Sequence, residues 1–142
     1  MKALSVRAPW WWFILYGGKD IENREWYTNV RGRILLHAGK WWKQDEVEDD
    51  IESAHYMQTD SGHEETEPFD WGVGVRAVGG CIVGSVEITA CIDGQARPLF
   101  RPAWFTGRYA FCLKDPVPLE VPIPFKGALG FFEVPDNILQ GR

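Results

Sequence analysis

The chain has 142 residues, 45% of them hydrophobic and 25% charged, which suits a single domain spanning residues 1–142 with enough length to bury most of its apolar surface. Its formal charge of −5 is unevenly spread: residues 1–43 carry +5, residues 44–70 carry −11 with no lysine or arginine, and residues 71–142 carry +1, so one acidic segment masks a mildly basic body. No apolar run reaches the roughly 20 residues of a membrane span, and the start lacks the apolar stretch and cleavage site of a secretion signal, so a cytoplasmic protein with no membrane partner is expected.

Lys2 to Val6 reads as a first strand. Pro9 suits the first position of a helix whose apolar face is Trp10, Phe13 and Ile14, with Gly17 ending it. Three adjacent tryptophans, Trp10 to Trp12, cannot all face one way on a helix, so at least one is expected exposed or at a cleft mouth. Ile21 to Tyr27 and Arg33 to Ala38 read as strands joined by a turn around Asn29 to Gly32. A helix is predicted from Gln44 to about Met57, exposing Glu46, Glu48 and Asp49, and a mobile loop from Thr59 to Glu67. Gly79 to Cys91 reads as one long strand with Gly84 a bulge. Arg108 to Leu113, Leu119 to Ile123 and Leu129 to Val134 read as three more, with prolines 116, 118, 122 and 124 confined to edges and turns. Many strands with two helices predict an α+β fold, a small mixed β-barrel with flanking α-helices.

Residues 17–24, Gly-Gly-Lys-Asp-Ile-Glu-Asn-Arg, gather the chemistry. If Ile21 points into a core, alternation sends Glu22 and Arg24 to the other face, with Lys19 at the strand entrance behind a Gly-Gly turn. The group is compact enough to hold an anion or a polar ring. Desolvated, Lys19 would lose its proton and serve as nucleophile or base; left charged, it would pair with Glu22. Glu22 either accepts a hydrogen bond from an exocyclic amine or bridges to Arg24 or Arg33. Arg24 stays protonated, an anion clamp or a support for Glu22. Arg7, Arg31, Arg33 and Lys40 are candidate phosphate contacts, and Trp10, Trp26 and Tyr27 candidate stacking rings. His37 reads as a hydrogen-bonded structural residue, Trp104 and Phe105 as core.

Cys81, Cys91 and Cys112 lie apart without metal-ligand spacing, and the three histidines form no cluster, so buried reduced thiols and no metal or cofactor are expected. No serine sits in a nucleophile elbow, and no glycine loop of the dinucleotide or triphosphate kind is present.

In this order the motifs resemble the ASCH domains of the PUA-like superfamily. Leu4-Ser5-Val6-Arg7-Ala8-Pro9-Trp10 is similar to the family's opening strand and helix start, and residues 17–24 match its Gly-x-Lys-x-x-Glu-x-Arg signature at every specified position. Arg33 to Lys40, Gly80 to Val86, Trp104 to Tyr109 and Pro122 to Phe131 continue the likeness, which leaves out only residues 44–78. The resemblance implies a PUA-like barrel of five or six strands with a cleft between barrel and first helix. It also implies RNA, single-stranded or duplex nucleic acid, or a modified nucleoside as partner. Some members act in transcription coactivation, some are reported as ribonucleases, and one branch hydrolyses N4-acylated cytidines with the signature lysine and a threonine. This chain has Glu22 where that branch has the threonine.

The reading from sequence is therefore a cleft that captures a base or nucleotide. Hydrolysis by Lys19 and Glu22 (amidohydrolase or ribonuclease) is the rival, and a protein-interaction module built on the acidic segment a third.

Overall fold

A computed structural model describes residues 1–40, 43–66 and 78–140. Nine elements follow in order: β1 (Lys2–Val6), α1 (Trp10–Tyr16), β2 (Ile21–Arg24), β3 (Gly32–Ala38), α2 (Gln44–Asp60), β4 (Cys81–Asp93), β5 (Tyr109–Pro124), β6 (Phe131–Glu133) and a 3₁₀ turn (Asp136–Leu139). The strands form one sheet in the order β2-β5-β4-β3-β1-β6; β1 and β3 run parallel and every other neighbouring pair antiparallel. The sheet curls into a half-barrel, the α+β architecture expected. Trp26, just past β2, packs edge-on against Phe111 of β5 and Phe131 of β6, and Phe111 and Phe131 stack at 6.2 Å. These rings join the two sides of the curled sheet.

β3 is buried on both faces, since Ile34 and Leu36 point into one cluster with Leu4, Val6 and Phe111, while Leu35 points into another with Ala3, Ile82 and Ile123. That double burial is what an apolar run without polar alternation requires. Helix α1 lies over the first cluster, contributing Trp11, Ile14 and Leu15. Gly84 makes its approach possible: a Cβ there would meet Leu15 Cδ2 and Val117 O, both at 2.7 Å. The register also shifts between Ile82 and Gly84, the bulge expected. Helix α2 turns the stripe Val47, Ile51, Ala54 and Gln58 inward, a spacing of one helix face. Its side chains Glu46, Glu48 and Asp49 are exposed.

Several expectations need correction. Pro9 is the residue before α1 rather than its first member, and the Ala8–Pro9 peptide is cis. The strand expected to reach Tyr27 stops at Arg24, because its partner β5 begins at Tyr109 and Arg24–Tyr109 is the last rung. The two strands expected at Arg108 to Leu113 and Leu119 to Ile123 are one, β5. It carries its prolines beyond the four rungs with β2, where one side has no neighbouring strand among the described residues, and register shifts against β4 absorb the remainder. α2 runs three residues past Met57, and the following segment has fixed contacts: Gln58 Nε2 donates to Thr66 Oγ1 and Thr66 N–H to Gln58 Oε1. Residues 67–70, the end of the acidic segment, lie outside the described residues. Cys81 is buried, whereas Cys91 and Cys112 are only half-buried. No described helix is long and apolar enough to cross a membrane.

Candidate functional site

A cleft of about 520 Å³ opens between α1 and the half-barrel, with Lys19, Glu22 and Arg24 in its lining beside Arg7 and Trp10. The turn that delivers Lys19 is built by glycines. Gly17 N–H and Lys19 N–H both donate to Phe13 O, at 2.9 and 3.0 Å, so the chain reverses within one residue of the helix end. Gly18 sits at φ +77°, and a side chain there would strike the His63 ring besides straining the backbone. From α2, the fully buried Gln58 donates to Gly17 O at 2.9 Å. The turn is thus fixed from both sides.

Lys19 is 4% exposed. Its Nζ donates to Ile21 O, lies 3.5 Å from Glu22 Oε1, and sits 5.6 Å from the centre of the Trp10 ring. Burial lowers its pKa from the ordinary lysine value; the neighbouring Glu22 carboxylate opposes that shift without cancelling it. Glu22, 7% exposed, divides its two oxygens. Oε2 takes both Nε and Nη2 of Arg24, at 2.9 and 2.8 Å. Among the described residues Oε1 receives only the longer approach of Lys19, at 3.5 Å. Arg24 is itself held by Ser5 O at 2.9 Å and lies 6.0 Å from the Trp26 ring. The floor is therefore an ordered cation–anion–cation row, in which Glu22 Oε1 meets Lys19 Nζ at 3.5 Å and keeps a second lone pair able to accept a hydrogen bond.

Of the other residues singled out from sequence, Arg7 lines the cleft but is paired with Asp50 of α2 at 2.6 Å. Trp10 is half-buried at its wall. Trp26 lies in the aromatic seam, and Tyr27 packs against Tyr109. Arg31 spends its guanidinium on Thr28 O and Val30 O, and Arg33 on Ser85 Oγ and Asp115 O. None of these four lines the cleft. Lys40 lines a neighbouring groove. His37 is 2% exposed with both nitrogens bonded: a carbonyl only accepts, so Nε2 donates to Phe125 O at 2.7 Å and Nδ1 accepts from Ser5 Oγ at 3.0 Å. Trp104 is buried, as expected.

Sequence reasoning passed over Asn23, one residue from the signature carboxylate. Its Nδ2 donates to Trp104 O and its Oδ1 accepts from the N–H groups of Thr106 and Gly107, pinning a distant loop at the cleft edge. The Gly-x-Lys-x-x-Glu-x-Arg spacing specifies nothing at that position. Met57, Thr106 and Leu129 also line the cleft from elements far off in sequence.

Comparison with known proteins fits this geometry. The chain is 26% identical over 141 residues to human Activating signal cointegrator 1 and 27% identical over 142 residues to the mouse protein, covering 97% of itself in each case. It spans only 23% of the length of those relatives. Its fold is similar to the crystal structure of the ZmASCH S128A mutant protein from Zymomonas mobilis, with a TM-score of 0.52 at 14% identity, covering 98% of this chain and 91% of that one. The ASCH domain model matches residues 4–103, and the chain belongs to the ASCH domain family.

Proposed function

We propose that residues 1–142 act as one domain that captures a base of single-stranded RNA in the Lys19–Glu22–Arg24 cleft. The observation that carries this reading is Glu22 Oε1, which among the described residues meets only Lys19 Nζ, at 3.5 Å. Arg24 saturates Oε2 and fixes the carboxylate plane, which leaves Oε1 to accept a hydrogen bond from an exocyclic amine such as that of cytosine or adenine. A cleft of about 520 Å³ accommodates a base and its sugar. Trp10 offers an aromatic wall, and a base stacked on it would gain roughly 1–3 kcal/mol. Titrating the protein with cytidine, adenosine, uridine and a mixed-sequence RNA hexamer, following tryptophan fluorescence, tests this. Amine-bearing nucleosides should bind tighter than uridine, and Lys19→Ala and Glu22→Ala should abolish the preference. Equal binding of all three nucleosides, or variants as selective as the parent, would overturn it.

Hydrolysis is the second reading, and Lys19 favours it. A buried lysine with a lowered pKa is a usable base at milder pH than an ordinary one. With N4-acetylcytidine in the cleft, neutral Lys19 would take a proton from water as the oxygen adds to the acyl carbon. The cytosine nitrogen would then leave with the proton returned by Lys19, giving acetic acid and cytidine. The rate should rise with pH through the Lys19 titration. Chromatography of N4-acetylcytidine and of the RNA hexamer after incubation separates amidohydrolase, ribonuclease and binding alone; no cytidine and no shortened RNA at high protein concentration would exclude both enzymes for these substrates.

A further inference from the structure

Beside the cleft lies a second groove, of about 770 Å³, that shares Ser5, Ala128 and Leu129 with it. The two are therefore continuous, divided only by the segment 126–130. Their charge differs. In the first, the cations are matched by Glu22 and Asp50. Among the described residues the second is lined by Lys40 and Lys126 and by no carboxylate, and neither lysine makes an ion pair or hydrogen bond there. Its wall is rich in small residues, including Gly79, Gly80, Gly127 and Ala128. Two of these positions call for glycine, one by its backbone angle and one by its neighbour. Gly80 has φ +83° with the Lys40 stem beside it, and a Cβ at Gly127 would lie 2.7 Å from the His37 ring. Among the described residues, the N–H groups of 126–129 donate to no backbone carbonyl.

Two unmatched ammonium groups, a low wall and free amides make a site for an oxyanion with several acceptor oxygens. We propose that the second groove holds a backbone phosphate of the same RNA strand whose base occupies the first cleft, so that the ligand is an oligonucleotide rather than a free nucleoside. Leu129, 99% exposed on the divide, would pack against the sugar between them. This rests on the base-binding reading above and narrows its ligand class.

The test compares cytidine, its 3′- and 5′-monophosphates and the RNA hexamer on the parent and on K40A/K126A, each over a salt series, with inorganic phosphate as competitor. The parent should favour the phosphorylated ligands. The double variant should lose about tenfold on the hexamer at low salt, and its log–log salt slope should flatten by roughly 0.7 for each phosphate contact removed. Exposed lysines contribute little to folding, so the melting temperature serves as the control. If cytidine and hexamer bind the parent equally, or if the double variant loses both in step, the phosphate groove is wrong while base capture stands. Inorganic phosphate should displace the hexamer at the concentration at which it binds alone; phosphate that binds without displacing the hexamer would show that the groove takes a free anion and not a strand. If the parent binds neither cytidine nor hexamer, base capture fails and the groove proposal with it.

Discussion

In the first cleft each lining cation has its counter-ion: Lys19 and Arg24 share Glu22, and Arg7 holds Asp50. In the second groove Lys40 and Lys126 stand exposed with no such partner among the described residues. The two arrangements serve different ends. Buried, mutually matched charges are held in one geometry and discriminate by shape and hydrogen bonding, at a desolvation cost already met in folding. Exposed, unmatched charges attract anything negative, and salt screens that attraction over about 8–10 Å. A ligand using both is selected in one place and retained in the other.

Substitutions sharpen this contrast. The largest effect on stability is expected at Glu22. Glu22→Gln leaves Lys19 and Arg24 facing each other without the anion between them and should cost about 3 kcal/mol, whereas Lys126→Ala should stay within about 0.5 kcal/mol. Urea unfolding measures both, and equal midpoints would erase the distinction between the grooves. Next comes Gln58→Leu, which strips Gly17 O and Thr66 of their buried partner and should cost about 1–3 kcal/mol. It should also weaken capture, since the turn carrying Lys19 loses its tie to α2; unaltered affinity would show that the turn holds itself.

Lys19 supplies a pH test. Its folded pKa is lowered, so between that value and the ordinary 10.5 the unfolded chain binds a proton the folded chain lacks. Wild-type stability should therefore rise relative to Lys19→Met as pH climbs through that window and should be relatively lowest below it. Parallel unfolding curves across the window would place Lys19 among ordinary charged lysines. The smallest effect is expected at Asp50, whose pair with the half-exposed Arg7 is worth less than about 1 kcal/mol. Asp50→Ala should hardly move the melting temperature yet free Arg7 and tighten RNA binding slightly at low salt, a gain absent at high salt.

What could be read from sequence was what depends on near neighbours. The Lys19–Glu22–Arg24 row was legible because i, i+3 and i+5 fall across one turn and one strand face, whatever the rest of the chain does. The long strand β4 was legible from its run of Val and Ile, and the exposed Glu46, Glu48 and Asp49 of α2 from their charge, for the same reason. What escaped depended on distant partners. β5 is continuous because its proline-bearing half has, among the described residues, no neighbouring strand on one side, and β2 ends where β5 begins. Neither condition is visible in either segment alone. Asn23 was missed because its role lies at residues 104–107, and Lys126 because only folding brings it beside Lys40. Arg33 has the composition of a phosphate contact, yet its geometry commits it to Ser85 and Asp115.

Ser5 stands where the two halves meet. Its carbonyl holds Arg24 on one side; its hydroxyl holds His37 on the other, and His37 in turn holds Phe125 O at the root of the segment dividing the grooves. Four hydrogen bonds thus run from the Glu22 carboxylate through Arg24, Ser5 and His37 to the backbone at Phe125. If both grooves are occupied as proposed, the two occupancies form a linked equilibrium: whatever factor the phosphate adds to the affinity for the base, the base must return to the phosphate. Selectivity for the base would then be felt as residence time for the whole strand.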